Sequence, residues 1–178
     1  KRLGFKINLI TFEGRNLPRY SRIEIKKEAL NFSVGHFTIF SEKERENLHG
    51  HNFQVECGLT APVGENGLVF DYGIIKTILR ELCDELDEHV ILPSKSPHLR
   101  LEKQGEYTAA IFDNERLLFL EKDLIILPIA NTTVEEFSCY FLTLLTERRE
   151  LSNKGIIEMT VKVSSSPGQG GCATWRLP

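Results

Sequence analysis

The chain has 178 residues, of which 41% are apolar and 26% charged, with a net charge of -3 at neutral pH. These values fit one globular domain with a core of its own and exclude a general nucleic-acid surface, which needs a clustered basic excess. Four scattered cysteines follow neither metal-ligand nor disulfide spacing, and no apolar run approaches the roughly 20 residues that span a bilayer, so a reducing cytoplasm is expected.

The opening KRLGFKINLITFEGR carries Glu13 and lacks a small-residue cleavage site, so no secretory leader is expected in it. Residues 1–20 read as an N-terminal extension with one candidate edge strand around Phe5 to Phe12. Ile23 and Ile25, then Leu30, Phe32 and Val34, predict a strand or long hairpin arm ending at His36. In His49-Gly50-His51, period two puts both imidazoles on one strand face, and the alternation continues with Phe53, Val55 and Cys57 against Asn52, Gln54 and Glu56. Pro62, Gly64 and Gly67 mark a turn. The period then changes: Ile75, Ile78, Leu79, Leu82 and Leu86 predict an amphipathic helix with Asp71 as N-cap.

Residues 94–128 contain alternating apolar runs on either side of Asp113-Asn114 and predict a β-hairpin inserted into a simpler core. Thr133 opens a second helix as a capping box with Glu136, and Phe137, Tyr140, Phe141, Leu144 and Leu145 form its stripe. IIEMTVKVS and GCATWRL, separated by Pro167-Gly168-Gln169-Gly170-Gly171, predict two closing strands. The expectation is an α+β fold over residues 1–178 as one domain: an antiparallel four-stranded sheet with two helices on one face. Joining copies edge to edge into a ring would remove the open sheet edges, so a homo-oligomer is expected.

His36, His49 and His51 supply three imidazoles with no cysteine nearby to close a structural zinc site, which describes a reactive zinc centre with an open position. Glu46, three residues before His49, can approach that position or a substrate proton, and acts as general base if its pKa is tuned toward neutrality. Its neighbours Glu42, Lys43, Glu44 and Arg45 equally read as a solvated charge run. Asp87, Glu88 and His89 offer an acid/base pair, or else a polar helix end followed by a strand-edge histidine. His98 reads as surface, and Cys57, Cys83 and Cys139 as small buried hydrophobes rather than nucleophiles.

The ordered markers FSVGH, LHGHNF, GLVFDY, LDEHVILP, TVEE and VKVSSSP make residues 22–176 resemble the 6-pyruvoyl-tetrahydropterin synthase and 6-carboxy-tetrahydropterin synthase family, members of the T-fold group. The resemblance implies zinc on His36, His49 and His51, a pterin pocket between subunits, and a hexamer of two stacked trimers. Family enzymes commonly carry a catalytic cysteine four to six residues before the HGH motif, where this chain has Lys43, Glu44 and Arg45. It is more similar to the branch from malaria parasites, in which a glutamate three residues before that motif replaces the cysteine; Glu46 stands there.

That likeness implies a lyase acting on dihydroneopterin triphosphate and releasing 6-hydroxymethyl-dihydropterin with, or in place of, the pyruvoyl product. Glu46 would be its catalytic group, with Asp87 and His89 as a proton relay. Thr133 and Glu135 match pterin-contacting positions. Two departures stand out. Glu88 occupies the place of the family's catalytic histidine, with His89 one residue later, and Ser165 replaces the glutamate that anchors the pterin. The alternatives are 6-carboxy-tetrahydropterin synthase of queuosine biosynthesis, or a repurposed non-catalytic metal-binding T-fold protein.

Overall fold

The computed structural model describes residues 19–177, so the edge strand expected around Phe5 to Phe12 lies outside the described residues. β1 (Tyr20–His36) and β2 (His49–Pro62) form a long antiparallel hairpin, followed by α1 (Gly73–Leu86) and β3 (His89–Pro93). Next come β4 (Arg100–Gln104), β5 (Tyr107–Phe112), β6 (Glu115–Leu120) and β7 (Leu124–Leu127). α2 (Val134–Thr146), β8 (Glu158–Ser166) and β9 (Gln169–Arg176) complete the described chain.

The α+β arrangement is as expected, and the sheet is larger. Its six strands run in the order β7-β3-β1-β2-β8-β9. The four antiparallel strands of the sequence reading are β1, β2, β8 and β9; β3 adds parallel to β1, and β7 parallel to β3. Both additions are short apolar runs, HVILP and LIIL, of the kind found in parallel strands, and show no alternation to announce them. The insert is correspondingly smaller and richer than a hairpin: β4, β5 and β6 form a three-stranded antiparallel sheet with its turn at Asp113-Asn114.

A bulge in β1 explains why its apolar positions change parity from Ile23 and Ile25 to Leu30, Phe32 and Val34. The register jumps between Lys26 and Asn31, and the Gln54 amide donates to the Lys27 and Leu30 carbonyls at 2.8 Å each. Beyond the bulge, Phe32, Val34 and His36 all turn inward. There Phe32 stacks on Phe53 at 5.2 Å and on Phe141 at 5.6 Å, while Phe53 meets Phe137 at 5.0 Å. This aromatic layer joins the sheet to α2, and Ile75, Ile78, Leu79, Leu82 and Leu86 of α1 bury against the same core. A second core of Phe37, Ile39, Leu92, Leu99, Ala110 and Phe112 binds the β1–β2 loop to the insert.

Three local expectations are corrected. Tyr72, not Asp71, precedes α1, and the Asp71 carboxylate accepts from the Gly73 N–H at 2.9 Å, so it closes a turn one residue upstream. Thr133 caps α2 by accepting from the Glu136 N–H, but Glu136 reaches back to the Ala130 N–H at 2.7 Å instead of completing the reciprocal bond. Cys139 is exposed, because it lies off the Phe137, Phe141 and Leu145 stripe of α2, whereas Cys57 and Cys83 are buried. Among the described residues, no helix is long and apolar enough to cross a membrane.

Candidate functional site

The β1–β2 register places His36 opposite His49, and period two carries His51 onto the same face. Their rings lie 4.6 to 5.3 Å apart between centroids, and one ligand nitrogen from each falls within 4.8 Å of the others. Phe53 floors the cluster at 5.2 Å from His36 and 5.7 Å from His51. Among the described residues this is the one such grouping of histidine, cysteine and carboxylate side chains.

Hydrogen bonding selects which nitrogens remain available. His36 donates from Nδ1 to the Thr132 carbonyl at 2.9 Å, and His49 from Nδ1 to the Asn47 carbonyl at 2.8 Å, because a carbonyl can only accept. When neutral, each ring is therefore the tautomer whose Nε2 carries a lone pair, the arrangement that orients imidazole ligands on metals. The His36 Nε2 is buried without a partner. An orphaned acceptor among three converging imidazoles fits a divalent cation, and zinc accepts nitrogen donors of this kind.

Burial, then the neighbouring His49, pushes the His36 pKa down from 6.5 to about 4, so the ring is neutral and ligand-competent at pH 7. In the unfolded chain the same residue takes up its proton at the ordinary value. Stability of the metal-free protein is therefore expected to fall as pH drops from 6.5 to about 4, by up to about 3 kcal/mol, with no further loss from this group below that window. Denaturant unfolding in chelator across that range checks this, and in His36→Phe the contribution is expected to vanish.

The cavity around the cluster is about 240 Å³ and is lined by residues from three further directions. Thr38, Phe40 and Glu46 come from the β1–β2 loop, Thr132 to Glu135 from the entry to α2, and Ser165 and Gln169 from the β8–β9 turn. Gly171 sets the approach of that turn to the helix: a Cβ there would lie 2.6 Å from the Val134 backbone, so a side chain would push the α2 N-terminus outward. The Glu46 carboxylate accepts from the Thr38 N–H at 2.9 Å and lies 4.0 Å from the His49 Nε2. Burial opposes its ionisation, but the Thr38 hydrogen bonds and the nearby His49 and His36 outweigh it and hold the pKa below the ordinary carboxylate value. Its surroundings thus do not tune it toward neutrality. Glu46 is a resting carboxylate, ready to accept a proton.

Glu46, Thr133, Glu135 and Ser165 thus share one cavity with the three histidines, whereas Asp87 and His89 do not line it. Asp87 accepts from the Ser33 N–H at 2.6 Å, and His89 donates from Nδ1 to the Asp87 carbonyl at 2.6 Å. Carboxylate and ring are therefore not hydrogen-bonded to each other as an acid/base pair would be. Glu88 occupies a left-handed turn at φ 59° with its side chain exposed, ahead of the strand rather than on it. Sequence reasoning missed Thr38 and Thr132, which act through backbone atoms that no side-chain pattern announces, and also Phe40 and Gln169. Burial raises the Cys57 and Cys83 thiols to about 12, which excludes both as thiolate nucleophiles at neutral pH.

The family model described as 6-pyruvoyl tetrahydropterin synthase matches residues 24–174. A Methanocaldococcus jannaschii protein named as a candidate 6-carboxy-5,6,7,8-tetrahydropterin synthase is 32% identical over 145 residues, covering 80% of this chain and 88% of that protein. The crystal structure of 6-pyruvoyl tetrahydropterin synthase from Plasmodium vivax superposes with a TM-score of 0.84 at 29% identity, covering 89% of this chain and 99% of that one. The Plasmodium falciparum enzyme matches with the same score and coverage at 31% identity. The P. vivax enzyme has also been solved with alanine and with cysteine in place of a glutamate described as catalytic.

Proposed function

Because the chain belongs to the 6-pyruvoyl tetrahydropterin synthase family, with its T-fold, we propose that it is a zinc-dependent lyase of pterin biosynthesis acting on dihydroneopterin triphosphate. The reaction is triphosphate elimination, side-chain cleavage, or both. One observation carries this reading: the unpartnered His36 Nε2 gathered with His49 and His51 in a cavity that also holds an ionised Glu46.

His36 and His49 would hold the ion through Nε2, since each Nδ1 is committed to a carbonyl, and His51 would complete the set. Zinc in such a donor set supplies Lewis acidity toward hydroxyl oxygens that approach it. Glu46 removes the proton. Its Oε2 accepts from the Thr38 N–H and lies 4.0 Å from the His49 Nε2, which holds the carboxylate beside the histidine cluster. Glu135, at the α2 N-terminus beside Thr133, accepts from the amino and ring N–H donors of the pterin, and Ser165 adds a neutral hydroxyl where a second carboxylate would bind more tightly.

His89 and Asp87 serve a neighbouring copy's cavity in this reading, in a hexamer built as a dimer of trimers. What supports it is that neither lines the cavity of its own chain, and that the Nδ1–H bond to the Asp87 carbonyl leaves the His89 Nε2 as a proton acceptor. Light scattering is expected to give six chains of 20.3 kDa, and a monomer would remove both residues from the mechanism.

Incubating the zinc-loaded protein with dihydroneopterin triphosphate and separating the products tests the assignment. Appearance of 6-hydroxymethyl-dihydropterin or the pyruvoyl product is expected, and recovery of unchanged substrate overturns it. A 6-carboxy-tetrahydropterin product would instead favour the function in the name of the M. jannaschii relative; Lys43, Glu44 and Arg45, standing where that enzyme type carries cysteine, weigh against it.

A further inference from the structure

Arg45 sits in a run of charges that ordinarily faces water, yet its side chain is only 13% exposed. Its guanidinium lies 5.0 Å from the Phe37 ring centroid and 5.8 Å from that of Phe112, between the β1–β2 loop and the insert sheet. Nη1 donates to the Glu46 carbonyl at 2.7 Å, Nε donates to the Glu115 carboxylate at 2.7 Å, and Nη2 closes a second contact with the same oxygen. Three donors of one planar group are thus divided between the main chain of the proposed base and the first residue of β6.

The same loop is paired across itself. Ile39 bridges Arg45, the Glu46 N–H donates to the Thr38 carbonyl at 2.8 Å, and the Glu46 carboxylate accepts from the Thr38 N–H at 2.9 Å. These bonds fix Glu46 relative to Thr38, whose arm is tied to the approach of α2: the Asn131 side chain accepts from the Ile39 N–H at 3.1 Å and donates to the Ile39 carbonyl at 2.7 Å, and the Thr132 hydroxyl donates to the Phe37 carbonyl at 2.8 Å. Arg45 ties the opposite arm, the one that carries Glu46, to the insert sheet. The insert sheet itself sends no residue into the cavity, so Arg45 and the shared second core are where its rigidity reaches the site.

We propose that Arg45, braced by Glu115, is a positioning residue that holds the Glu46 carboxylate beside His49, so that the insert sheet acts as a buttress for the base. The inference rests on the reading of Glu46 as the base. A rigid fork shared between a carboxylate and a backbone carbonyl defines a position that a flexible ammonium cannot, and misplacing a reacting group by about 1 Å can cost about 10²-fold.

Arg45→Met keeps an apolar stem between the two rings and removes the fork. It is expected to lower kcat on dihydroneopterin triphosphate by about 10- to 100-fold with KM changed less than about twofold, zinc content unchanged, and no further loss when combined with Glu46→Gln. Exchange of the Thr38 amide hydrogen, read independently of turnover, is expected to speed up at least about tenfold while Val55 stays protected. Parental turnover in Glu46→Gln ends the base reading. A crippled Glu46→Gln with parental Arg45→Met overturns the brace alone, as does a loss that repeats in full on the Glu46→Gln background. Should the protein turn over no substrate, unchanged Thr38 exchange in Arg45→Met overturns the brace and faster exchange supports it. If Arg45→Met does not fold, Glu115→Gln enters the same cycle and is judged by the same outcomes.

Discussion

Glu46→Ala is expected to lower turnover of dihydroneopterin triphosphate by about 10²- to 10⁴-fold, the range a positioned acid/base group contributes, while the protein keeps its zinc. The carboxylate is ionised and held at Thr38, 4.0 Å from the His49 Nε2, so it is placed to take a proton from a hydroxyl entering the cavity without being needed to hold the ion. KM is expected to change little, because Thr133, Glu135 and Ser165 occupy other walls of the same cavity. Stability should change little as well: Glu46 is partly exposed, and the Thr38 N–H it leaves can be reached by water. Parent-like turnover in Glu46→Ala would remove this residue from the chemistry, and loss of zinc along with activity would reassign it as a ligand.

His36→Ala has the larger expected effect, abolishing zinc retention and all turnover together. His36 is the most deeply placed of the three imidazoles, 4% exposed, held by the Thr132 carbonyl and packed on Phe53. Its removal leaves two half-buried rings and no fixed third donor. Metal-free stability behaves differently. An unsatisfied buried nitrogen costs about 1–3 kcal/mol, so in chelator the loss on truncation is expected to be smaller than for an apolar residue of equal burial. In zinc the two proteins should diverge, since only the parent gains from a ligand that binds the native state alone. Melting the parent and His36→Ala with zinc and with chelator measures both differences, and equal zinc-induced shifts would contradict the assignment.

The histidine cluster was legible because two periods coincide. Alternation puts His49 and His51 on one face, and the odd and even apolar positions of β1, switched by the bulge, bring His36 opposite His49. Alternation also exposed the four antiparallel strands. It could not expose β3 and β7, whose apolar runs carry no period, nor β4 as a third strand of the insert, since RLEKQ holds a single apolar residue. Arg45 was hidden for the opposite reason. In a run of charges nothing local distinguishes a residue that stacks between Phe37 and Phe112 from one facing water, because its partners are distant in sequence. Asp87 shows the limit of reading neighbours as partners: its carboxylate bonds to Ser33, fifty-four positions away, and its carbonyl, not its carboxylate, meets His89.

The most direct measurement is X-ray absorption at the zinc edge on metal-replete protein, paired with elemental analysis. One zinc per chain with three imidazole nitrogens at about 2.0–2.1 Å, lost in His36→Ala and retained in Glu46→Ala, is the predicted result. Sulfur in the coordination shell, a substoichiometric ion, or a zinc that survives His36→Ala would contradict it.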